Sequence, residues 1–180
     1  MRQVSPTRPG TSVPLEGMLR YLVTGGAGFI GSHLCDLLVA RGAAVVAIDD
    51  LSTGCRANVA QLARNSRFRL VVGSATDPRL MDRLVADADV VVHLAAAVGV
   101  ELIRSRPLRS ARTNALATLM VLDQAVRHRR RVLLASSSEV YGYSAPVPVG
   151  EDTLRTSGAA SDMRASYGAS KAFEESVALA

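Results

Sequence analysis

Gly25, Gly28 and Gly31 stand three residues apart in the stretch Thr24-Gly25-Gly26-Ala27-Gly28-Phe29-Ile30-Gly31. No other feature constrains the fold as strongly. A short β-rich run, residues 19–24, leads into the glycines, and an amphipathic helix over residues 29–41 leads out, closed by Gly42. In such a strand-to-helix turn the first glycine permits the sharp bend and the second lets a phosphate approach the backbone. The third lets helix and sheet pack closely. The helix start adds N–H donors and a positive dipole end. Asp49 lies 18 positions beyond Gly31, at the tip of the next apolar run, where a carboxylate can accept hydrogen bonds from both ribose hydroxyls of an adenosine. It repels a 2′-phosphate, so the expected ligand is NAD rather than NADP.

The rest of the chain repeats the alternation. Apolar runs at 44–48, 67–72, 90–94 and 131–136 read as strands, and the segments between them carry helical patterns. Asp77 and Pro78 mark the start of a helix running to about residue 86. A longer helix spans about 108–128, and residues 170–180 read as a last one. Short, continuously hydrophobic strands separated by helices predict an α/β fold: a Rossmann-type, doubly wound parallel sheet with helices on both faces. Its ligand crevice should lie at the carboxyl ends of the strands. The 180 residues, 48% hydrophobic with no Trp and three Phe, suit one such domain better than an aromatic-rich sandwich.

Residues 1–17, rich in Pro, Gly, Ser and Thr, lack the apolar stretch of a signal peptide and read as a disordered leader. Met18 is the expected true start, and 18–180 the expected domain. The sequence stops inside its last helix without a cap, so the domain is expected to be incomplete at its C-terminal end. No apolar run reaches the roughly 20 residues of a membrane span. The net charge of +5 is mostly Arg, and only residues 127–131 cluster it. Cations in the last turn of a helix offset its dipole, which favours a solvated helix end over a nucleic-acid patch. Cys35 and Cys55 form neither a metal-ligand spacing nor a disulfide framework, consistent with a reducing cytoplasm.

Tyr167 and Lys171, four apart on a predicted helix, share a face. An ammonium there would lower the phenol's pKa and let Tyr167 act as a base. Ser136-Ser137-Ser138-Glu139 follows the fifth strand, at the face where ligands bind.

These stretches together resemble the extended short-chain dehydrogenase/reductase superfamily, specifically its NAD-dependent epimerase/dehydratase family acting on nucleotide sugars. The matching segments also include Asp49-Asp50-Leu51-Ser52-Thr53-Gly54, His93-Leu94-Ala95-Ala96, Asn114 and residues 136–142. The resemblance implies that Tyr167 takes the proton of the sugar 4-hydroxyl as hydride leaves C4. It implies that Lys171 holds the nicotinamide ribose and keeps the tyrosine acidic, and that Ser137 bridges the 4-oxygen and Tyr167. Gly25, Gly28, Phe29, Ile30, Gly31, Asp49, Asp50, Leu94, Ala95 and Ala96 would bind the cofactor, with Asn114 fixing the sheet beside it. Family 4,6-dehydratases of the dTDP-glucose type carry Asp-Glu where this chain has Ser138-Glu139. Ser138 cannot act as that acid. With residues 96–100 upstream, Glu139 looks more like the UDP-glucuronate decarboxylases. GDP-mannose dehydratases also carry a Glu there and 4-epimerases usually lack it, so a decarboxylase-like activity is expected first and a 4-epimerase-like one second. Ser74 replaces an Asp with which many relatives contact adenine. The resemblance further implies a UDP-linked sugar substrate and a homodimer packed through two helices, one bearing Tyr167.

Other polar residues have plainer readings. His33 is expected on the surface or in packing, His93 buried and hydrogen-bonded, Asp87 and Asp89 as solvated caps. Two further function classes stand beside the enzyme: a non-catalytic or remnant NAD-binding module, suggested by where the sequence stops, and a nucleic-acid binder, resting on charge alone.

Overall fold

The computed structural model describes residues 18–97, 105–142, 145, 147–156 and 163–180, the last segment with side chains from 165. The leader at 1–17 and residues 98–100 of the decarboxylase-like motif lie outside these. Five parallel strands, β1 (Arg20–Thr24), β2 (Ala44–Asp49), β3 (Phe68–Val72), β4 (Val90–His93) and β5 (Arg131–Leu134), form one sheet in the order β3-β2-β1-β4-β5. The chain therefore winds outward from β1 on one side and then returns to its other side with β4. That reversal is the switch point of a doubly wound sheet, and a crevice opens there beyond the strand ends.

Helices α1 (Phe29–Ala40), α2 (Pro78–Ala86), α3 (Pro107–His128) and α4 (Met163–Leu179) connect and cover the strands, with short 3-10 helices at Arg56–Leu62 and Ser138–Tyr141. Adjacent residues of each central strand point to opposite faces. Val23, Val45, Ala47 and Val92 bury one face with Cys35 and Val39 of α1. Leu22, Ile48 and Val91 bury the other with Met81, Leu84 and Val85 of α2 and Val121 of α3. Burial pushes the Cys35 thiol up to about 12, which suits a packing role. The side-chain carboxylate of Asp77 caps α2 through the N–H groups of Arg79 and Leu80, and Pro78 follows at the first helical position, as expected.

Two details differ from the sequence expectation. The last helix starts at Met163, not 170, and its Gly168 packs against the backbone of Glu139. Asp89 is no solvated cap: its carboxylate accepts from the backbone N–H and the guanidinium of Arg20, 2.8 and 2.9 Å away. The basic cluster stands in the last turn of α3 as expected, and is also tied to α2, with Arg127 and His128 on Asp82 and the Arg130 guanidinium on the Ala86 carbonyl. Among the described residues no helix is long and apolar enough to cross a membrane.

His93, at the end of β4, is buried as expected and lies between two hydroxyls. Thr24 Oγ1 accepts from the N–H groups of Leu94 and Ala95, so its proton goes to His93 Nδ1 at 2.7 Å. His93 Nε2–H can then donate to Thr118 Oγ1 at 3.1 Å. This arrangement needs the neutral ring, and burial followed by the charge of Lys171 holds its pKa down to about 4. An unfolded histidine titrates near ~6.5, so below that pH the unfolded chain binds the extra proton. Stability is then complete above about 6.5 and lost as pH falls towards 4. Urea unfolding should show about 2 kcal/mol less stability at pH 5 than at pH 7, and His93→Gln should remove most of that slope.

Candidate functional site

The crevice at the switch point is a cleft of about 660 Å³. Its floor is the glycine turn. Gly25 adopts φ +68°, and a Cβ there would sit 2.9 Å from the Ala95 nitrogen, so only glycine lets β1 turn this close to the end of β4. A Cβ on Gly31 would lie 2.1 Å from the Gly25 carbonyl oxygen. One on Gly28 would meet protein only at that same oxygen, 3.2 Å away. The first-turn N–H groups of α1, which a helix cannot satisfy internally, border this floor. Phe29 and Ile30, 80% and 68% exposed, line the same cleft.

Asp49, buried at the tip of β2, is held by the N–H of Ala27 to Oδ2 (3.0 Å) and that of Leu51 to Oδ1 (2.8 Å). Gly54 packs against the carboxylate so closely that a Cβ would come within 2.7 Å of it. Each oxygen thus keeps a lone pair for a further donor on the cleft side. Asp50 also lines the cleft, but its Oδ1 is occupied by the backbone and hydroxyl of Ser52. Ser74 lines it too, with its hydroxyl against that of Thr76. Leu94, Ala95 and Ala96 form the wall beside β4. Asn114 stands behind that wall and does not line the cleft: its Oδ1 accepts from the Ala97 N–H at 2.6 Å, fixing where the chain leaves the sheet.

Tyr167 and Lys171 reach the far end of the cleft from α4. Lys171 is buried and donates to the Ala135 carbonyl (2.9 Å) and to Glu174 Oε2 (2.8 Å). Its third N–H has no acceptor among the described residues. Glu174 is 1% exposed, and its other oxygen, Oε1, has no partner among the described residues. Sequence reasoning missed this carboxylate, although its i,i+3 spacing from Lys171 was a signal. The expected acidification of the phenol is absent here. Burial, then the charge of Glu174, raise the Tyr167 pKa above its ordinary value, and Glu139 adds to this. A hydrogen bond with Ser137 works the other way. The main cause is burial of the phenol, and the ammonium that was expected to offset it is itself paired with Glu174. Ser137 and Glu139 flank Tyr167 outside the cleft lining, where Ser137 Oγ also caps the Ser138–Tyr141 helix by accepting from the Glu139 N–H. The neighbouring Ser136 hydroxyl donates to Glu175, which is ion-paired with Arg155.

His33 is exposed, with Nδ1 on the Phe29 carbonyl. Arg106, Arg109, Ser110 and Thr113 also line the cleft and were not read from the sequence. Their i, i+3, i+4, i+7 spacing puts them on one face of α3, which is the signal that could have found them. Among the described residues no group of three or more His, Cys, Asp or Glu is placed to hold a metal ion.

The family model described as GDP-mannose 4,6 dehydratase matches residues 22–180. The chain belongs to that family. It thereby falls among the NAD-dependent epimerases/dehydratases of the short-chain dehydrogenase/reductase superfamily. A UDP-N-acetyl-alpha-D-glucosaminuronate decarboxylase of Bacillus cytotoxicus is 40% identical over 160 residues, 89% of this chain and 49% of that protein. UDP-glucuronic acid decarboxylase 1 of Arabidopsis thaliana is 41% identical over 124 residues, 69% of this chain and 27% of that protein. Among solved structures, a UDP-glucose 4-epimerase from Brucella ovis in complex with NAD superposes with a TM-score of 0.75 at 30% identity. The match covers 88% of this chain and 46% of that one. The chain thus spans half or less of the length of these relatives.

Proposed function

We propose that this chain forms the NAD-binding part of an enzyme that oxidises a UDP-linked sugar at C4, with a UDP-glucuronate decarboxylase or a 4-epimerase as the nearest activities. The observation that carries this reading is the meeting of the glycine turn, Asp49, Tyr167 and Lys171 on one cleft. The residues present fit the cofactor. The backbone at Gly28 leaves open the space a pyrophosphate needs, and the α1 N-terminus supplies donors for it. Asp49 has acceptor capacity left for the adenosine ribose, and Lys171 has one uncommitted N–H for the second ribose. Bound there, NAD would supply the hydride acceptor.

The chain's own groups do the proton work. Tyr167 would take the proton of the sugar 4-hydroxyl, with Ser137 bridging the same oxygen. Lys171 would orient the ribose, and Glu139, which follows Ser137 beside Tyr167, would be the further carboxylate of the site. The two decarboxylase relatives favour loss of the C6 carboxylate after oxidation.

Incubation with UDP-glucuronate and NAD, followed by mass spectrometry for UDP-xylose, tests the reading. Release of the decarboxylated sugar is expected from the enzyme of which this chain forms the NAD-binding part, and NAD binding without turnover from the 180 residues alone. NAD binding by that enzyme without turnover of UDP-glucuronate, UDP-glucose or UDP-galactose would favour a non-catalytic module. Asp49→Asn should narrow the preference for NAD over NADP by at least about tenfold, since the repelling charge is lost.

A further inference from the structure

The first turn of α3 is built against its own dipole. Arg106 stands at its N-cap position without a side-chain cap, Arg109 lies in its first turn, and that turn holds no acidic residue. Cations at the positive end of a 22-residue helix raise its energy unless an anion lies between them. Neither guanidinium has an ion-pair partner among the described residues. Pro107 contributes no N–H, so those of Leu108 and Arg109 are the unfilled donors of the turn. A second observation is independent of these. Ser110, on the cleft-lining face, is 4% exposed, and its Oγ is buried without a hydrogen-bond partner among the described residues. A buried orphan hydroxyl is a cost that native structures rarely carry without a reason.

We propose that Arg106, Arg109 and the Ser110 hydroxyl form a phosphoryl-binding subsite at the start of α3, a second anion-binding wall of the cleft that also holds the glycine turn. Guanidinium groups and a hydroxyl converging on a helix N-terminus match the oxygens of a pyrophosphate. The inference rests on the reading that a dinucleotide and a nucleotide sugar share this cleft. Both carry a pyrophosphate, and either can be the source.

Inorganic pyrophosphate, NAD and UDP should be titrated separately, by calorimetry and by amide NMR, against the wild type, Arg109→Gln and Ser110→Ala. Pyrophosphate is expected to shift the Arg109 and Ser110 amide resonances, and each substitution should weaken its binding about tenfold or more. Ser110→Ala should leave the ligand-free protein as heat-stable as the wild type or more so, because it removes an unsatisfied group. That result separates a ligand site from a folding defect. Weakened NAD with unchanged UDP assigns the subsite to the cofactor, and the reverse assigns it to the sugar nucleotide. Unchanged affinity for all three ligands in both variants overturns the proposal. A wild type that fails to bind NAD or UDP, yet shows the pyrophosphate shifts at Arg109 and Ser110, would remove the functional reading and leave the subsite standing.

Discussion

Gly31→Ala is expected to abolish NAD binding, raising Kd by more than about a hundredfold, and to destabilise the fold by about 2 kcal/mol. The added Cβ would sit 2.1 Å from the Gly25 carbonyl oxygen and 2.8 Å from the Gly26 Cα. Both are backbone atoms, so α1 must lift off the turn, and the N–H groups that it aims at the cleft move with it. Gly28→Ala provides the contrast. Its Cβ meets protein only at 3.2 Å, and the residue's φ of −76° suits any side chain. Stability should stay within about 0.5 kcal/mol of wild type, while NAD affinity falls because the methyl enters the open space over the turn. Calorimetric titration with NAD and urea unfolding of both variants checks this. Equal loss of stability in the two would show that the glycines serve packing alone.

In the enzyme that contains this chain, Tyr167→Phe should lower turnover of the UDP-sugar by about a thousandfold, the scale of losing a general base, with NAD affinity within about twofold of wild type. Unchanged turnover would remove Tyr167 as the base. The structure adds a pH dependence that the pairing of Tyr167 with Lys171 alone does not suggest. Burial and Glu174 hold the phenol proton on more tightly than usual, so the rate should rise into the alkaline range. Glu174→Gln removes a negative charge beside the phenol and releases the Lys171 ammonium from its ion pair. Both changes favour the phenolate, so the rising limb of the rate profile should move to lower pH. Glu174 is a positioning residue in this reading. A profile that falls in height without shifting would mean that it only supports the fold.

Much of the cofactor end of the cleft was legible because its signals are local. The glycine spacing, the strand before it, the helix after it and Asp49 at the tip of β2 all lie within 30 residues. Each acts through backbone geometry that neighbouring residues set for themselves. Tyr167 and Lys171 were legible for the same reason, being one helical turn apart. The Ser138–Tyr141 helix was not, since a four-residue element has no periodicity to read.

The sequence by itself determined a parallel α/β sheet with a glycine-rich strand-to-helix turn and a tyrosine–lysine pair. Strand order, which no local pattern specifies, decided the rest. Only because β4 lies beside β1 do Thr24 and His93, 69 residues apart, meet in a buried hydrogen-bonded chain that reaches Thr118 on α3. The same placement brings Arg106 and Ser110 to the cleft opposite the glycine turn. Packing of α4 against α3 and the Ser138–Tyr141 helix turned Glu174 inward. An i,i+3 carboxylate facing water would have been a weak surface pair. Buried against Lys171, it sets the electrostatics of the tyrosine, because water no longer screens its charge.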